Sequence, residues 1–313
     1  MKKVILNRLS MALPVLFLMT IITYFLVSLI PGNAAVVILG QDATPESIAA
    51  LSAKLHLDQP FYVQWWYWFQ GVFHGDLGTS LYSGEPVTKL LSQRIMPTVL
   101  VSGFATLVGA IIGVLLGTWA AVKKGTVSKA LDTISMIGIS LPNFWFALVL
   151  VVFVAGKFHF LPPLGYTNPQ DDFFDWAKHM ILPVAALGLA GIAIIAKQTR
   201  DSMSEALSRD FMRFLQANGL STKSLVYKHG ARYAAMPVFA AMIGSFINLF
   251  GGTVALESIF AIPGLGSMVV VATTQRDLVV IQGAVLAYTV IVILATVVGD
   301  IANLLLNPKL RTR

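Results

Sequence analysis

Long uncharged apolar runs alternate with polar stretches along this chain of 313 residues. A helix needs about 20 predominantly apolar residues to cross the hydrocarbon of a bilayer, with a lower limit near 17. Six runs meet that length, at residues 10–30, 95–122, 133–156, 180–196, 233–256 and 278–299. The fourth only just reaches the limit, and Pro142 is expected to kink the third. The pattern predicts an all-α polytopic membrane protein with six transmembrane helices.

The basic residues predict the orientation of these helices, because Lys and Arg near the ends of a span are retained in the cytoplasm. With six spans, sixteen of the 22 Lys and Arg fall on one side and six on the other. Both termini are therefore predicted to be cytoplasmic. A seventh uncharged run, residues 258–275, contains Pro263, Gly264 and Gly266, and a seventh crossing would move the basic C-terminus outside. We expect a re-entrant or interfacial segment there.

The composition excludes an ordinary soluble globular protein. Hydrophobic residues make up 56% of the chain and charged residues 12%, whereas soluble domains carry about 25% charged residues. The formal net charge of +7 is explained by the basic loops on one side of the membrane, so we expect no nucleic-acid partner. The sequence has no cysteine, which excludes disulfides, thiolate metal ligands and cysteine nucleophiles.

The loop between the first two spans, residues 31–94, is too long for a simple connector. Thr44 precedes Pro45, an order typical of a helix that Thr44 caps and Pro45 begins. Residues 61–69 include seven aromatic side chains, which are expected to anchor the segment in the headgroup layer. Alternatively, these rings line a vestibule for an apolar or peptide-like ligand. The glycines of residues 74–78 are expected to end this helix in a turn.

The loop between the fourth and fifth spans, residues 197–232, predicts a helical hairpin. Residues 205–218 contain no helix breaker and are expected to form one helix. Four apolar side chains of that helix share a face, namely Leu207, Phe211, Phe214 and Leu215. Gly219 is expected to end it in a left-handed conformation. A second helix, capped by Ser221 or Thr222, is predicted to run into the fifth span through Pro237. On composition alone, the hairpin is a surface element packed on the bundle.

The sequence carries no motif for catalysis or metal binding. It lacks a Gly-x-x-x-x-Gly-Lys-Ser/Thr phosphate loop, and its five histidines are scattered without ligand spacing. We therefore expect no enzyme activity, metal or cofactor in this chain. The six runs contain no charged residue, which argues against an ion-coupled carrier, although backbone carbonyls can bind sodium. Asn143 and Asn248 are candidates for a mildly polar path or for hydrogen bonds between helices.

Two segments of the inside loop resemble the signature of a known family. They read Asp210-Phe-Met-Arg-Phe-Leu-Gln-Ala-Asn-Gly219-Leu and His229-Gly-Ala-Arg232-Tyr-Ala-Ala-Met-Pro237. This loop resembles that of membrane subunits of bacterial ABC importers in the dipeptide/oligopeptide/nickel branch. Further matches at residues 57–60, 74–80, 179–183, 257–266 and 307–311 extend the resemblance over almost the whole chain. The chain departs from the family pattern where Phe214 and Leu215 replace small residues and Tyr233 replaces an asparagine.

The resemblance implies the transmembrane-domain fold of type I ABC importers in a multi-pass protein of the bacterial inner membrane. Residues 1–95 would hold the first span and the long extracytoplasmic loop. Residues 96–313 would form the core permease, with a cytoplasmic coupling loop at about 197–235. The implied partners are a homologous second permease subunit, two cytoplasmic ATPases that bind ATP and Mg²⁺, an extracytoplasmic solute-binding protein and the lipid bilayer.

The resemblance also implies which residues contact the ATPases, namely Arg213, Phe214, Leu215, Ala217, Gly219, His229, Arg232 and Pro237. The candidates for the pore or its gate are Asn143, Asn248, Glu257, Pro263, Gly264 and Gly266. The implied function is import of dipeptides, oligopeptides or a peptide-like solute. Glutathione and nickel or another metal chelate are alternative cargoes within the family. An ion-coupled carrier and a passive scaffold are the rival classes of protein.

Overall fold

The computed structural model describes residues 2–29, 34–123, 125–157 and 160–306. Over these residues the chain is almost wholly helical, and pairing of extended segments is limited to one bridge between Thr79 and Pro86. Several positions used in the charge and motif arguments lie outside the described residues, namely residues 31–33, Lys124, His159 and the C-terminal residues 307–313 with Lys309, Arg311 and Arg313.

Thirteen α-helices follow one another along the described part of the chain. They are α1 (Lys2–Ser28), α2 (Ala34–Leu39), α3 (Pro45–Lys54), α4 (Phe61–Val72), α5 (Val87–Lys123), α6 (Gly125–Ser140), α7 (Asn143–Leu150), α8 (Phe173–Ser208), α9 (Asp210–Ala217), α10 (Thr222–Ser224), α11 (Ala231–Phe260), α12 (Leu265–Gln275) and α13 (Leu278–Leu306). The described residues also include two π-helical segments, Val151–Lys157 after α7 and Leu225–Gly230 between α10 and α11.

Within the described residues, five helical segments are long and apolar enough to cross a membrane, and a bent pair counted as one span gives a sixth. The five are Ser10–Ser28, Val87–Lys123, Phe173–Ser208, Thr222–Phe260 and Leu278–Leu305. Four of these five extend beyond the predicted runs, most of all Phe173–Ser208, which gains a turn or more at each end, whereas Ser10–Ser28 ends before residue 30 of its predicted run. Glu257 and Asp300, which lie beyond the ends of the predicted runs, are therefore on α11 and α13. The predicted orientation of the termini stays a prediction.

The third predicted span is broken at Pro142 rather than kinked. Its two parts, Ser128–Ser140 and Asn143–Val154, meet at 93°. Proline has no N–H to donate, and its ring disfavours a helical conformation in the residue before it. Pro142 itself is extended, with φ −63° and ψ 128°, and α7 begins at the next residue. The sequence therefore indicated the correct position but understated the size of the bend.

The described chain divides into two compact units. The core unit contains residues 99–262 and residues from 295 onward, and the flanking unit contains residues 2–98 and 263–294. The flanking unit is thus made of two separate stretches of sequence. The predicted division at residue 95 stays a prediction.

Small residues of α5 let it approach α8 closely within the core unit. Gly109, Gly113 and Gly117 recur every four residues, and all three lie against the backbone or side chains of residues 191–200. A Cβ atom on Gly117 would stand 2.7 Å from the Cβ of Thr199, which is closer than real Cβ atoms come. Glycines at this spacing are typical of closely packed membrane helices. This packing was not predicted, although the spacing of the glycines is visible in the sequence of α5.

In the flanking unit, the aromatic helix α4 packs along α1. The indole N–H of Trp65 donates to the hydroxyl of Thr20 at 3.2 Å, and the rings of Phe17 and Trp65 meet edge to face at 5.5 Å. Trp65 and Trp68 are buried, whereas Tyr62, Trp66 and Tyr67 are exposed. One face of the aromatic run is therefore a packing surface within the unit.

Two local predictions for the loop between the first two spans, residues 31–94, are confirmed. Thr44 caps α3 by accepting from the N–H of Ser47 at 3.1 Å, and Pro45 is the first helical residue. Past the end of α4, Gly75 and Gly78 adopt positive φ values of 76° and 84° in the predicted turn. Both features depend on neighbouring residues alone, which is why the sequence predicts them.

Candidate functional site

We call the helical hairpin predicted for residues 197–232 the inside hairpin, after its predicted cytoplasmic side. It begins with a sharp break between α8 and α9. Arg209 is extended, with φ −68° and ψ 147°, and separates Ser208 from Asp210. The prediction of a single helix over residues 205–218 is therefore wrong at its start, because residues 205–208 complete the long helix α8. No proline or glycine marks this break. Contacts with a distant residue, Tyr233, accompany it instead.

Arg209 lies in a small polar cluster that joins three parts of the hairpin. Its guanidinium donates to Glu205 and, at 2.9 Å, to the hydroxyl of Tyr233. That hydroxyl in turn donates to the carboxylate of Glu205 at 3.0 Å. The hydrogen bonds to Glu205 and then to Tyr233 raise the pKa of Arg209, which keeps it charged. The ring of Phe211 lies 6.4 Å from that of Tyr233. We call Glu205, Arg209, Phe211 and Tyr233 the hairpin junction.

Gly219 ends α9 in the predicted left-handed conformation. Its φ is +83°, its N–H donates to the carbonyl of Gln216 at 3.0 Å, and the N–H of Leu220 donates to that of Leu215 at 3.3 Å. These two bonds form the glycine C-cap that satisfies the last carbonyls of a helix. The hydroxyl of Ser221 then accepts from the N–H of Ser224, so Ser221 is the predicted cap of the second arm. A π-helical segment joins that arm to α11.

The two faces of α9 have different surroundings. Met212 is buried and Leu215 half-buried, in a cluster with Ala206 and Leu225 that fixes the helix to its own bundle. Phe214 is 68% exposed, and Arg213 and Ala217 are exposed beside it. The predicted apolar face is thus divided, since Leu207 and Leu215 pack inward while Phe211 and Phe214 point outward. The hairpin is fixed on one side and presents aromatic and basic side chains on the other.

The remaining predicted coupling residues lie on the second arm. His229 is half-buried in the π-helical segment Leu225–Gly230, and Arg232 is exposed in the first turn of α11. Pro237 lies inside α11, less than two turns further on. The structure therefore groups Arg213, Phe214 and Gly219 around α9, and places the other three along the second arm and the start of the fifth span.

A row of small and polar residues is exposed along α11. It follows helical spacing through the described helix and consists of Ala240, Gly244, Asn248, Gly251, Ala255 and Ser258. Open space surrounds the Cβ positions of Gly244 and Gly251. Asn143, the other predicted path residue, lies instead beside Gly252, with its amide nitrogen 3.6 Å from the position a Cβ would take there. We call this row the small-residue face of α11.

The segment after α11 has the predicted form of a turn followed by a short helix. Phe260 is the last helical residue, Ala261 is left-handed with φ 54°, and the N–H of Ile262 donates to the carbonyl of Glu257 at 2.9 Å. The Glu257 side chain is fully buried. Within the flanking unit, Gly264 and Gly266 are buried at the start of α12, whose 11 residues are too few to cross a membrane.

Two polar clusters were not predicted from the sequence. In the flanking unit, buried Asp277 caps α13 by accepting from the N–H of Val280 at 3.2 Å, and its other oxygen accepts from the hydroxyl of Ser80 at 2.5 Å. In the core unit, Arg200 of α8 pairs with Asp132 of α6 and donates to the hydroxyl of Ser128 at 3.1 Å. An Asp before an apolar run signals a cap, but nothing local identifies the distant partners.

Matches to two known protein families together span nearly the entire sequence. Residues 113–312 match the family described as "Binding-protein-dependent transport system inner membrane component". Residues 1–101 match the family described as "Binding-prot-dependent transport system membrane comp, N-term". The break between the two matches falls within α5.

Individual relatives align over their full length. A probable peptide ABC transporter permease protein of Sinorhizobium fredii is 36% identical over 308 residues, with 98% of each chain covered. A dipeptide transport system permease protein of Alkalihalophilus pseudofirmus is 35% identical over 326 residues, covering 97% of this chain and 98% of the relative. The methionine ABC transporter MetNI, solved in inward-facing conformations, shares the fold with a TM-score of 0.57 at 16% identity. The structural match covers 70% of this chain and 97% of the solved chain.

Proposed function

The chain belongs to the binding-protein-dependent transport system inner membrane components, and we propose that it forms half of the pore of an ABC importer for peptides. It is a multi-pass permease of the inner membrane. In the proposed importer, this membrane subunit catalyses no reaction. ATP and Mg²⁺ would bind to two separate cytoplasmic ATPases, a second permease would complete the pore, and an extracytoplasmic binding protein would deliver the cargo.

The inside hairpin carries the proposal. Helix α9 is held from within by Met212, while Phe211, Arg213 and Phe214 are exposed on its outer side. A short helix fixed in this way can enter a groove on an ATPase and transmit its closure to α8 and α11 as a rigid-body movement. Because α9 is bounded by the break at Arg209 and the cap at Gly219, its angle to both long helices is defined.

The small-residue face of α11 is proposed to line the path of the cargo at the contact with the second permease. Small side chains leave room for a solute that varies in shape, and Asn248 offers an amide donor and acceptor to a peptide backbone. The face carries no charge along its exposed row, so it does not select for a charged cargo. Glu257 and the turn at Pro263, Gly264 and Gly266 are proposed to lie at the outer end of this path.

The proposed cargo is a dipeptide or longer peptide. The names of the peptide and dipeptide permeases that align over their full length support this choice. Glutathione and a nickel or other metal chelate stay alternatives, because selectivity in such a system rests largely with the separate binding protein. A binding assay of the cognate binding protein with each class of compound discriminates among them.

The test is reconstitution of the chain with its second permease, ATPases and binding protein in proteoliposomes. Peptide uptake should require ATP and persist when ionophores remove the ion gradients. Uptake that persists without the ATPases but stops when the gradient collapses would identify an ion-coupled carrier. Failure to transport any solute with all subunits present would favour a scaffold.

Cysteine labelling tests the proposed path within the same assembly. The native chain has no cysteine, so single substitutions report one position each. A water-soluble maleimide should label Asn248→Cys and lose access when cargo is present. Leu115→Cys, on the exposed apolar face of α5, is the matched control and should stay unlabelled. Equal labelling of both would contradict a path along α11.

A further inference from the structure

An apolar groove lies between α5, α8 and α11 in the core unit. We call its part along Val238 and Met242, with a volume of about 320 Å³, the inner part, and its part beside Trp119 and Lys223, with a volume of about 510 Å³, the outer part; both are open on one side. Both parts are lined by Val114, Thr118 and Ala231, so they adjoin and form one groove. A groove of this volume has room for an apolar ligand, since about 150 Å³ of apolar space already holds benzene.

The inner part of the groove suits an acyl chain. Its apolar lining includes Val114, Val238, Phe239 and Met242. The lining follows α11 from Ala231 to Met242, which at 1.5 Å per residue is about 16 Å. That length is close to half of the hydrocarbon thickness of a bilayer, about 15 Å, which one leaflet's chains occupy.

Two hydroxyl groups are available to the polar part of a lipid. Thr118 and Thr199 both line the inner part of the groove. The Thr199 hydroxyl is buried and has no hydrogen-bond partner within the described part of the protein. A buried hydroxyl without a partner is unfavourable, so it favours a ligand that brings an acceptor. An ester carbonyl is such an acceptor.

The mouth of the groove has the chemistry of a headgroup site. Lys223 is the charged side chain among the described residues that line it. Trp119 and Tyr227 lie at the same mouth and are 53% and 72% exposed. Trp and Tyr concentrate at the membrane surface, and Lys attracts anionic lipid there. The mouth also lies next to Lys123, at the end of α5 that the charge pattern assigns to the cytoplasm.

The outer part of the groove opens beside a row of large exposed apolar side chains on α5, and no residue of the small-residue face of α11 lines it. This part includes Leu115 and Trp119, which continue that row. Phe104, Leu107 and Ile111 precede them in that row. Lipid covers such a surface, whereas a second permease would pack on small residues.

We propose that an anionic phospholipid binds in this groove, with its phosphate at Lys223, its ester region at Thr118 and Thr199, and an acyl chain along Phe239 and Met242. Lys223 and Tyr227 belong to the second arm of the inside hairpin, so the lipid supports that arm from the membrane side. The binding itself does not depend on the proposed transport function, and it is measured on the purified full-length chain.

Quenching of Trp119 fluorescence by brominated lipids tests the proposal. The chain is placed in phosphatidylcholine vesicles, and brominated phosphatidylglycerol or brominated phosphatidylcholine is titrated in. The Trp119 contribution is the difference between the wild type and Trp119→Phe. We expect phosphatidylglycerol to quench that contribution at about fivefold lower content. This factor corresponds to the ~1 kcal/mol that one Lys contributes near an anionic surface.

Matched variants separate the headgroup and chain contributions. Lys223→Gln should abolish the preference for phosphatidylglycerol, whereas Lys228→Gln, exposed on the same arm and absent from the groove lining, should preserve it. Ala235→Leu fills the inner cavity and should weaken quenching by phosphatidylglycerol with Lys223 still present. Circular dichroism confirms that each variant is folded. Equal quenching by both lipids in the wild type, or an unchanged preference in Lys223→Gln, would overturn the proposal.

Discussion

The hydroxyl of Tyr233 donates a hydrogen bond to Glu205, 28 positions earlier in the chain, at 3.0 Å. This bond connects the last turn of α8 to the first turn of α11 across the base of the inside hairpin. Arg209, at the break between α8 and α9, bonds to both residues. The angle at which α9 leaves the bundle is therefore held by side chains from both of its neighbours in sequence.

Removing the Tyr233 hydroxyl should loosen α9 without unfolding the protein. Tyr233→Phe loses both hydrogen bonds but keeps the ring contacts with Phe211 and Arg209. Spin labels at Lys197→Cys and Gln216→Cys should then show a broader distance distribution, and less peptide should be imported per ATP hydrolysed. Tyr67→Phe, which removes an exposed hydroxyl outside the hairpin and the groove, is the control. An unchanged distribution in Tyr233→Phe would exclude the hairpin junction as a positioning device.

Met212 and Phe214 lie two residues apart on α9 and should respond oppositely to truncation. Met212→Ala creates a cavity under the helix and should lower the free energy of unfolding by about 2–5 kcal/mol. Phe214→Ala removes an exposed ring and should leave the stability of the purified chain unchanged while the ATPases no longer co-elute with it. Denaturant titration and size-exclusion chromatography measure the two effects. Full retention of the ATPases by Phe214→Ala would contradict docking through this face.

Gly219 should tolerate no β-branched residue, because its φ is +83°. Open space surrounds its Cβ position, so the cost of Gly219→Val is a backbone cost of about 1–2 kcal/mol. We expect ATP hydrolysis to continue while uptake falls, since the angle between the arms changes. The backbone cost is measured as a loss of unfolding free energy. Gly244→Ala, at a helical glycine with equally open surroundings, controls in that measurement for the added side chain. Normal uptake by Gly219→Val would remove the cap from the coupling route.

Gly117 should be far more sensitive to substitution than Gly103, although both lie on α5. A Cβ on Gly117 meets Thr199 and the backbone of Arg200, whereas none of the described atoms lies within 4 Å of a Cβ on Gly103. Gly117→Ala is expected to cost about 1–3 kcal/mol of unfolding free energy through overpacking. Gly103→Ala should be neutral or slightly stabilising. Thermal unfolding in detergent compares them, and equal melting temperatures would contradict close α5–α8 packing.

Ser80 should stabilise the flanking unit through its bond to Asp277. Both side chains are buried, and a hydrogen bond to a charged group contributes about 1.5–3 kcal/mol. Ser80→Ala is expected to lose that amount in denaturant titration. Ser83→Ala, at an exposed serine three residues later, should lose much less. A difference below the error of the titration would show that Asp277 is satisfied by backbone donors alone.

Features set by neighbouring residues could be predicted from the sequence. Apolar length located the helices, and the signals at Thr44 and Gly219 correctly marked a cap and a helix end. Pro142 marked the position of the break, although only a kink was predicted there. The break at Arg209 could not be predicted, because its hydrogen-bond partner Tyr233 lies 24 positions away. The partner of Asp277 is 197 positions distant, so only its capping role was accessible. The division of the α9 face likewise depends on which side meets the bundle.

The discontinuity of the flanking unit has a consequence for the order of events during biosynthesis. Its first stretch ends at Thr98, and its second begins at Pro263. The amide of Gln282, which donates to the Thr20 carbonyl at 2.7 Å, is therefore made long after that carbonyl. At a synthesis rate of about 5–20 residues per second, the interval is on the order of ten seconds or more. During that time α1 and α4 lack their C-terminal packing partner, so nascent chains that stop before residue 282 are those we expect quality-control proteases to remove.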